Sequence, residues 1–229
     1  MYDVQGQIGS FAQGLAADRQ RVLRNTYWLL ALSMVPTVLG AWIGVSTGIL
    51  ATLGSGPSLL LFLVGAFGLM FLVEKTKNSA AGVASLLAFT FFMGLMLSRL
   101  LSFVLGFSNG PTLIMTAFAG TGAIFLAMAS LATVIKRDLS AMGKFLFVGV
   151  IIMFVAGLVN VFLQSSALML TLMVLSMAVF SAFMVYDVKR IIDGGETNYI
   201  SATLAIYLDI YNVFQNLLAM LGIFGGERD

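Results

Sequence analysis

The sequence contains no cysteine and no histidine. Without cysteine, the chain has no disulfide framework, no thiolate metal site and no cysteine nucleophile. Without histidine, it lacks the commonest metal ligand and the usual general base of enzymes. Any chemistry therefore depends on other polar side chains, above all on carboxylates.

Charged residues and prolines are also scarce. Charged residues make up 10% of the chain, against about 25% in soluble domains. Hydrophobic residues make up 60%, and the mean hydropathy is +1.02. This composition is typical of a membrane protein with several spans. The chain has no basic patch beyond its short loops, so a nucleic acid partner is not indicated.

The 24 glycines and 3 prolines favour continuous helices that approach one another closely. Within the first long apolar run, Gly40, Gly44 and Gly48 recur at every fourth residue. This spacing places small residues on one helix face and predicts a tight contact with a neighbouring helix.

The apolar sequence divides into seven spans, so the chain is predicted to be an all-α integral membrane protein. Asn25–Val73 is free of charge and too long for one helix, and a glycine-rich break within Thr47–Ser58 divides it into two. The later spans are predicted at about Ala80–Ser98, about Thr112–Ile135, two helices within Phe145–Tyr186 that bend at Gln164–Ser166, and about Ala202–Phe224.

The positions of the cations predict the orientation. Met1–Arg24 is polar and its apolar sequence begins too late for a cleaved signal peptide, so we interpret it as a cytoplasmic tail before a membrane domain at 25–229. Ten of the twelve Lys and Arg residues fall on the side of this tail, and Arg99 and Arg228 fall on the other. The excess predicts that the N-terminus is inside and the C-terminus outside. The ten are Arg19, Arg21, Arg24, Lys75, Lys77, Lys136, Arg137, Lys144, Lys189 and Arg190.

Two aspartates lie in apolar sequence on either side of a short turn. An ionised carboxylate at bilayer depth costs at least about 2.5 kcal/mol, so such residues are usually functional. Gly194–Gly195 is predicted to end the first helix, and Ser201 to cap the second. Asp187 then lies roughly 9 Å before the turn and Asp209 roughly 12 Å after it, at 1.5 Å per residue. In an antiparallel hairpin the two carboxyl groups are therefore at nearly the same depth.

Two neighbouring carboxyl groups do not both ionise easily, so the pair is predicted to share a proton and to titrate as a unit. Asp187 and Asp209 are thus a candidate pH-sensing and cation site. Their oxygens also suit Ca²⁺, although so few ligands imply weak binding. The alternative for Asp187 is that its carboxylate simply extends towards the lipid headgroups.

Amide side chains accompany Asp209 on the last helix. Asn212 and Asn216 follow it at i+3 and i+7, on one helix face. Such a face suggests a polar seam turned away from lipid. Asn160 and Gln164 on the fifth span are candidates to join this seam. The alternative is hydrogen bonding that only packs the bundle.

Four phrases of the sequence are distinctive. They are VLRNTYWLL at 22–30, GLMFLVEKTKN at 68–78, IKRDLSAMGKFL at 135–146 and GGETNYISATLAIYLDIYNVF at 194–214. These phrases resemble the Bax inhibitor-1 (transmembrane Bax inhibitor motif) family, in particular its bacterial branch. The resemblance implies seven helices, with six surrounding a polar C-terminal one, in the bacterial inner membrane. It implies binding to the AAA protease FtsH and restraint of its degradation of membrane proteins. It also implies a pH-sensitive calcium leak governed by an aspartate pair, matched here by Asp187 and Asp209.

The resemblance departs at Gly122 and Ala123, where larger aliphatic residues are commoner, and again in the second helix. In relatives of this kind, an arginine of the second helix can compete for one aspartate. Here Leu59–Val73 contains neither arginine nor lysine. We therefore expect the basic latch to be absent or moved, with Lys75 and Lys77 as the candidates.

Three classes of function remain open. Modulation of FtsH and a cation leak are mutually compatible. An intramembrane aspartyl protease is the remote third, because Tyr186-Asp187 matches its YD motif. However, Asp209 follows Ile206-Tyr207-Leu208 instead of GxG, and no PAL motif occurs near the C-terminus. We therefore predict a protein that is not an enzyme, with no catalytic residue and no cofactor beyond weakly bound Ca²⁺.

Overall fold

The computed structural model describes residues 4–227, except the side chains of residues 4–13, 15, 51 and 55. This part of the chain is helical, without strands, and seven of its helices are long and apolar enough to cross a membrane. The prediction of an all-α protein with seven spans is confirmed. The helices are α1 (Val4–Thr47), α2 (Ile49–Thr52), α3 (Ser55–Thr76), α4 (Ala80–Leu105), α5 (Gly110–Val134), α6 (Ser140–Leu163), α7 (Ser166–Ile192) and α8 (Tyr199–Gly225).

The first helix is longer than the sequence suggested. It runs without a break from Val4 through Pro36 to Thr47. The predicted tail Met1–Arg24 is therefore helical from Val4, while residues 1–3 lie outside the described part, and its boundary with a membrane domain stays a prediction. The break predicted after Thr47 is confirmed: Gly48 and Gly54 adopt positive φ values of 63° and 71° on either side of the short α2.

The bend predicted between the fifth and sixth spans is also confirmed. Gln164 ends α6 in the left-handed conformation, with a φ of 51°. Its backbone amide donates to the backbone carbonyl of Asn160. Ser165 then caps α7, because its hydroxyl accepts a hydrogen bond from the Leu168 amide at 3.3 Å. Two residues thus reverse the chain between two long helices.

The tightest contact in the bundle joins α1 to α4. A side chain at Gly40 would collide with the Phe91 carbonyl of α4, and one at Gly94 would collide with the Thr37 carbonyl of α1. Glycine on both helices therefore lets the two backbones touch, as the glycine spacing predicted. Gly48 does not follow that prediction, because nothing lies within 4 Å of the position where its side chain would begin. It has a left-handed backbone conformation at the end of α1 instead.

The C-terminal helix α8 packs against α7, α5, α1, α4 and α3. Helix α3 packs along α4, and α6 packs mainly against α7. Helices α4 and α8 bury the largest share of their residues, whereas α3, α6 and α7 bury the smallest. Large apolar side chains cover that outer surface, as expected of a protein surrounded by lipid.

The two ends of the bundle differ in charge. We call the end that holds the α3–α4, α5–α6 and α7–α8 connections the basic end, because its cations include Lys77, Lys136 and Lys189. At the opposite end, Asn109 ties the C-terminus to the α4–α5 connection. Its amide donates to the Gly225 carbonyl at 2.7 Å, and its oxygen accepts from the Glu227 amide at 3.1 Å.

Candidate functional site

The connection between α7 and α8 forms the foundation of the site. The Gly194 amide donates to the Ile191 carbonyl, and Gly194 itself has a φ of 82°. The Arg19 guanidinium of α1 lies 2.7 Å from where a side chain at Gly194 would begin. Glycine is thus required here for its backbone angle, and a side chain at this position would also displace the Arg19 guanidinium. The predicted glycine ending of the helix is confirmed.

The cap of α8 differs from the prediction. Asn198, not Ser201, caps the helix, because its Oδ1 accepts from the Ile200 and Ser201 amides at 2.9 and 3.1 Å. Glu196 orders the preceding residues by accepting from the Thr197 and Asn198 amides. Ser201 misses the cap because α8 begins two residues earlier, at Tyr199.

The Asn198 side chain also reaches another helix pair. Its Nδ2 donates to the Lys77 carbonyl at 3.0 Å and to Asn78 Oδ1 at 2.9 Å. Ser201 extends this bridge, since its hydroxyl donates to Glu74 Oε1 at 2.8 Å. The start of α8 is therefore fastened to the end of α3 by side chains of the GGETNYIS run.

The structure brings Asp187 of α7 and Asp209 of α8 together, with their carboxyl groups within hydrogen-bonding reach. Asp209 is buried, with 4% of its surface exposed, whereas Asp187 is partly exposed. Among the described residues, Oδ2 of Asp209 has no hydrogen-bond donor. A hydrogen bond between two carboxyl groups needs one proton, so this geometry is suited to a shared proton.

A cavity of about 340 Å³ reaches Asp187 from the basic end. Three helices line it, namely the end of α3, the end of α7 and the first turns of α8. Asp187 is the most deeply placed of its charged residues, while Asp209 lies behind it and outside the lining. The lining residues are Met70, Glu74, Lys77, Asp187, Arg190, Glu196, Ser201, Ala202, Leu204, Ala205 and Leu208.

Two ion pairs surround the entrance of this cavity. Lys77 Nζ lies 2.7 Å from Glu74 Oε2, and this hydrogen bond raises the pKa of Lys77 above its usual value. Arg190 Nη2 lies 3.3 Å from Glu196 Oε2. Within the described residues, no basic side chain pairs directly with Asp187, although Arg190 attracts it electrostatically. Lys77, one candidate for the basic latch, is therefore engaged with Glu74 instead.

The amides of the predicted polar seam bond mainly along their own helices. Asn212 Nδ2 donates to the Leu208 carbonyl at 2.8 Å. Asn216 Nδ2 donates to the Asn212 carbonyl at 2.8 Å and to Ser176 Oγ of α7 at 3.0 Å. Asn216 thus joins α7 to α8, but neither amide bonds Asp209. These contacts support the alternative of bundle packing.

Asn160 does not belong to this seam. Its Oδ1 accepts from the Ser165 amide at 3.0 Å, so it stabilises the end of α6. The spacing of Asn160 and Gln164 placed them on one helix face but gave no information on which helix α6 would contact. Because α6 packs mainly against α7, Asn160 serves the turn and remains remote from Asp209.

Sequence reasoning missed two parts of the site. Glu74 and Asn198 were assigned to charged or polar connections, yet they join α3 to α8. Tyr207 was noted only as a polar residue of the last span, but its hydroxyl lies 3.0 Å from Thr37 Oγ1 of α1. The signal available for Tyr207 was its position one turn before Tyr211, whose hydroxyl donates to the Met93 carbonyl of α4 at 3.2 Å.

No group of three or more acidic side chains within the described part of the chain is placed to hold a metal ion. A cation at Asp187 would therefore have few protein ligands. Weak binding is the expectation for such a site.

Comparison with known proteins identifies relatives of the whole chain. Residues 19–226 match the family model described as inhibitor of apoptosis-promoting Bax1. An uncharacterized membrane protein of Vibrio cholerae is 39% identical over 92% of both chains, and a Pseudomonas aeruginosa protein is 38% identical over 99% of this chain and all of its own. The Escherichia coli K12 protein named modulator of FtsH protease YccA is 36% identical over 88% of this chain and 90% of its own.

A second Escherichia coli protein with the same identity is named inner membrane protein YccA. Together with the seven apolar helices, this likeness establishes a multi-pass protein of the bacterial inner membrane. The family model and the relatives confirm the resemblance seen in the sequence. The chain belongs to the Bax inhibitor-1 family.

Proposed function

We propose that this protein binds an FtsH-type membrane protease and modulates it, limiting the degradation of other membrane proteins. The observation that carries the proposal is the 36% identity to the Escherichia coli modulator of FtsH protease, over 88% of this chain. The family description and that relative's name both denote a modulator, so we propose no catalytic step.

The length of α1 supports this proposal. Its 44 residues extend about 66 Å at 1.5 Å per residue, whereas a bilayer core is about 30 Å thick. The helix therefore continues well beyond the membrane at the basic end. In the orientation predicted by the positive-inside rule, that extension is cytoplasmic and accessible to a protease with a cytoplasmic AAA module.

Co-purification and degradation assays test the proposal together. We expect the tagged protein to retain FtsH in detergent and to lengthen the half-life of a membrane substrate of FtsH in cells. A variant that lacks residues 1–18 separates the extension from the bundle, and its insertion is checked by membrane fractionation. The proposal would be contradicted if the full chain failed to retain FtsH and also left the substrate's half-life unchanged.

A second function is favoured by the geometry of the aspartate pair. We propose that Asp187 and Asp209 form the pH-sensing element of a cation leak, with Ca²⁺ as a weakly bound candidate ion. The two carboxyl groups lie within hydrogen-bonding reach, and the cavity leads to one of them. Ionising both would create repulsion between α7 and α8, which biases the packing of the two helices. Weak binding suits a conducting path, since an ion must also leave.

Calcium flux into proteoliposomes, measured across pH, tests this second proposal. Asp187→Asn and Asp209→Asn should each flatten the pH dependence, and the double variant should add little, because the pair titrates as a unit. Asp138→Asn, a change of the same kind at an exposed connection, serves as the control. A pH response retained in Asp187→Asn and lost only in Asp209→Asn would refute the pair, and unchanged flux in all variants would refute the leak.

A further inference from the structure

The cavity beside α3 has a feature that neither proposal uses: apart from Asp187, its charged residues lie at the entrance and its apolar residues lie deeper. The entrance holds two carboxylates and two cations, and the walls behind it are formed by Met70, Leu204, Ala205 and Leu208. A phospholipid has the same order, with a charged headgroup at the interface and acyl chains deeper in the bilayer.

The cavity also lies where a lipid can enter it. Helix α3 packs along α4 and touches α8, whereas within the described residues it forms no packed interface with α7. These two helices are the side walls of the cavity. Further along the bundle, Phe67 of α3 meets Phe154 of α6 edge to face, with ring centroids 6.3 Å apart. The gap between α3 and α7 is thus bounded by an aromatic contact deeper in the membrane.

The charges at the entrance indicate which lipid would fit. At the entrance Glu74, Glu196, Lys77 and Arg190 sum to zero, and the deeper Asp187 adds a further carboxyl group, so an anionic headgroup finds no net attraction there. Arg190 has a side chain that is 45% exposed and uses one nitrogen in a 3.3 Å ion pair, which leaves other guanidinium donors for a phosphate. Glu74 is the more exposed carboxylate, at 46% against 16% for Glu196.

We infer that this cavity binds the headgroup of a zwitterionic aminophospholipid, phosphatidylethanolamine, from the leaflet at the basic end. Arg190 binds the phosphate, and Glu74 accepts hydrogen bonds from the primary ammonium. One acyl chain descends between α3 and α7 along Met70. The ammonium is the selective group, since the quaternary amine of phosphatidylcholine has no N–H to donate to Glu74.

Native mass spectrometry of the detergent-solubilised protein tests this site with lipids of equal acyl chains and distinguishable mass. We expect one phosphatidylethanolamine to bind about tenfold better than phosphatidylcholine, the ratio that one charge-assisted hydrogen bond provides. Phosphatidylglycerol should bind no better than phosphatidylcholine. Stepwise N-methylation of the ethanolamine should lower the occupancy stepwise, and this series requires no altered protein.

Two variants locate the site, and two act as controls. Glu74→Gln should remove the preference for phosphatidylethanolamine while it keeps an acceptor for Ser201, and Arg190→Gln should weaken the binding of every phospholipid. Lys144→Gln removes an exposed cation of α6, and Asp138→Asn removes an exposed carboxylate of the α5–α6 connection; both lie outside the cavity lining and should leave the lipid preference intact. Equal occupancy by all three headgroups would show ordinary boundary lipid and overturn the inference, as would a preference that persists in both Glu74→Gln and Arg190→Gln.

Discussion

The contact between α1 and α4 and the contact between α8 and α3 are formed in different ways. Between α1 and α4, Gly40 and Gly94 let the two backbones touch, and no polar side chain is needed to hold them. Between α8 and α3, contact at the basic end depends on hydrogen bonds from Ser201 and Asn198. The first contact is fixed by shape, and the second by a few polar groups beside an open cavity.

This difference assigns the two contacts different mechanical properties. Backbone contact across glycines has no alternative arrangement that is equally well packed. Hydrogen bonds between side chains can exchange for water or for a ligand at modest net cost, about 1 kcal/mol each. We therefore expect α1 and α4 to move as one body, and α3 to be the helix that can separate from α8.

The largest effect is expected at the glycine contact. Gly94→Ala places a methyl group against the Thr37 carbonyl and should destabilise the protein by about 1–3 kcal/mol, the usual cost of overpacking. Gly122→Ala is the matched control, since nothing lies within 4 Å of its missing side chain, and alanine favours the helix. Thermal unfolding in detergent measures both. Equal midpoints for the two variants would show that the α1–α4 contact adjusts.

The next effect is expected at Asn198. Asn198→Ala removes the cap of α8 and both bonds to the α3–α4 connection, so it should cost more than the roughly 1 kcal/mol of an ordinary cap. Asn198→Asp keeps the cap acceptor but loses the donors, and it should fall between alanine and the parent. Hydrogen exchange in the last turn of α3 should rise in both variants. Exchange that rises in neither would indicate that other contacts hold α3 to α8.

A smaller effect is expected at the opposite end of the bundle. Asn109→Ala removes two of the hydrogen bonds that hold residues 225–227 to the α4–α5 connection, while those from Ser108 to the Glu227 carbonyl remain. It should cost about 1 kcal/mol at most, because the bonds are partly open to water. The Glu227 amide should exchange faster, while the amides of α3 should not change. Faster exchange in α3 would mean that the two ends of the bundle are coupled and that α3 does not separate from α8 independently.

The smallest effect is local and depends on pH. Hydrogen bonds from the Ser140 hydroxyl and amide lower the pKa of Asp138. Because the folded pKa is depressed, this turn is stabilised above the ordinary aspartate pKa of about 3.9 and loses that stabilisation as the pH falls through the lowered value. Ser140 exchange should therefore accelerate in acid relative to Asp138→Asn, which keeps an acceptor at every pH. Identical exchange in the two proteins across that range would refute the assignment.

The architecture could be read from the sequence because its signals are local. Apolar runs, glycine-rich breaks and Gln164 located the seven spans and the turns between them, although α1 begins at Val4 and α4 continues beyond the predicted Ser98 to Leu105. The equal depth of Asp187 and Asp209 followed from counting residues along two helices. Side-chain partners across helices could not be derived in this way, because spacing along one helix does not specify which helix it will face.

Asn160 and Asn198 illustrate that limit. The spacing of Asn160 was compatible with a seam in the bundle, yet the packing of α6 places it at a turn. Ser201 was the predicted cap, and the start of α8 at Tyr199 gives that role to Asn198. Glu74 was assigned to a charged turn, because no pattern in the chain relates it to Ser201, more than a hundred residues away.

The unequal exposure of the two aspartates has a kinetic consequence. Asp187 faces the cavity, while Asp209 lies behind it without any other donor among the described residues. We expect a proton that reaches or leaves Asp209 to pass over Asp187, so that the two acids exchange with water in series. Solvent contact at Asp187 then limits the rate for both, and a molecule lodged in the cavity would slow the response of the pair to a pH jump.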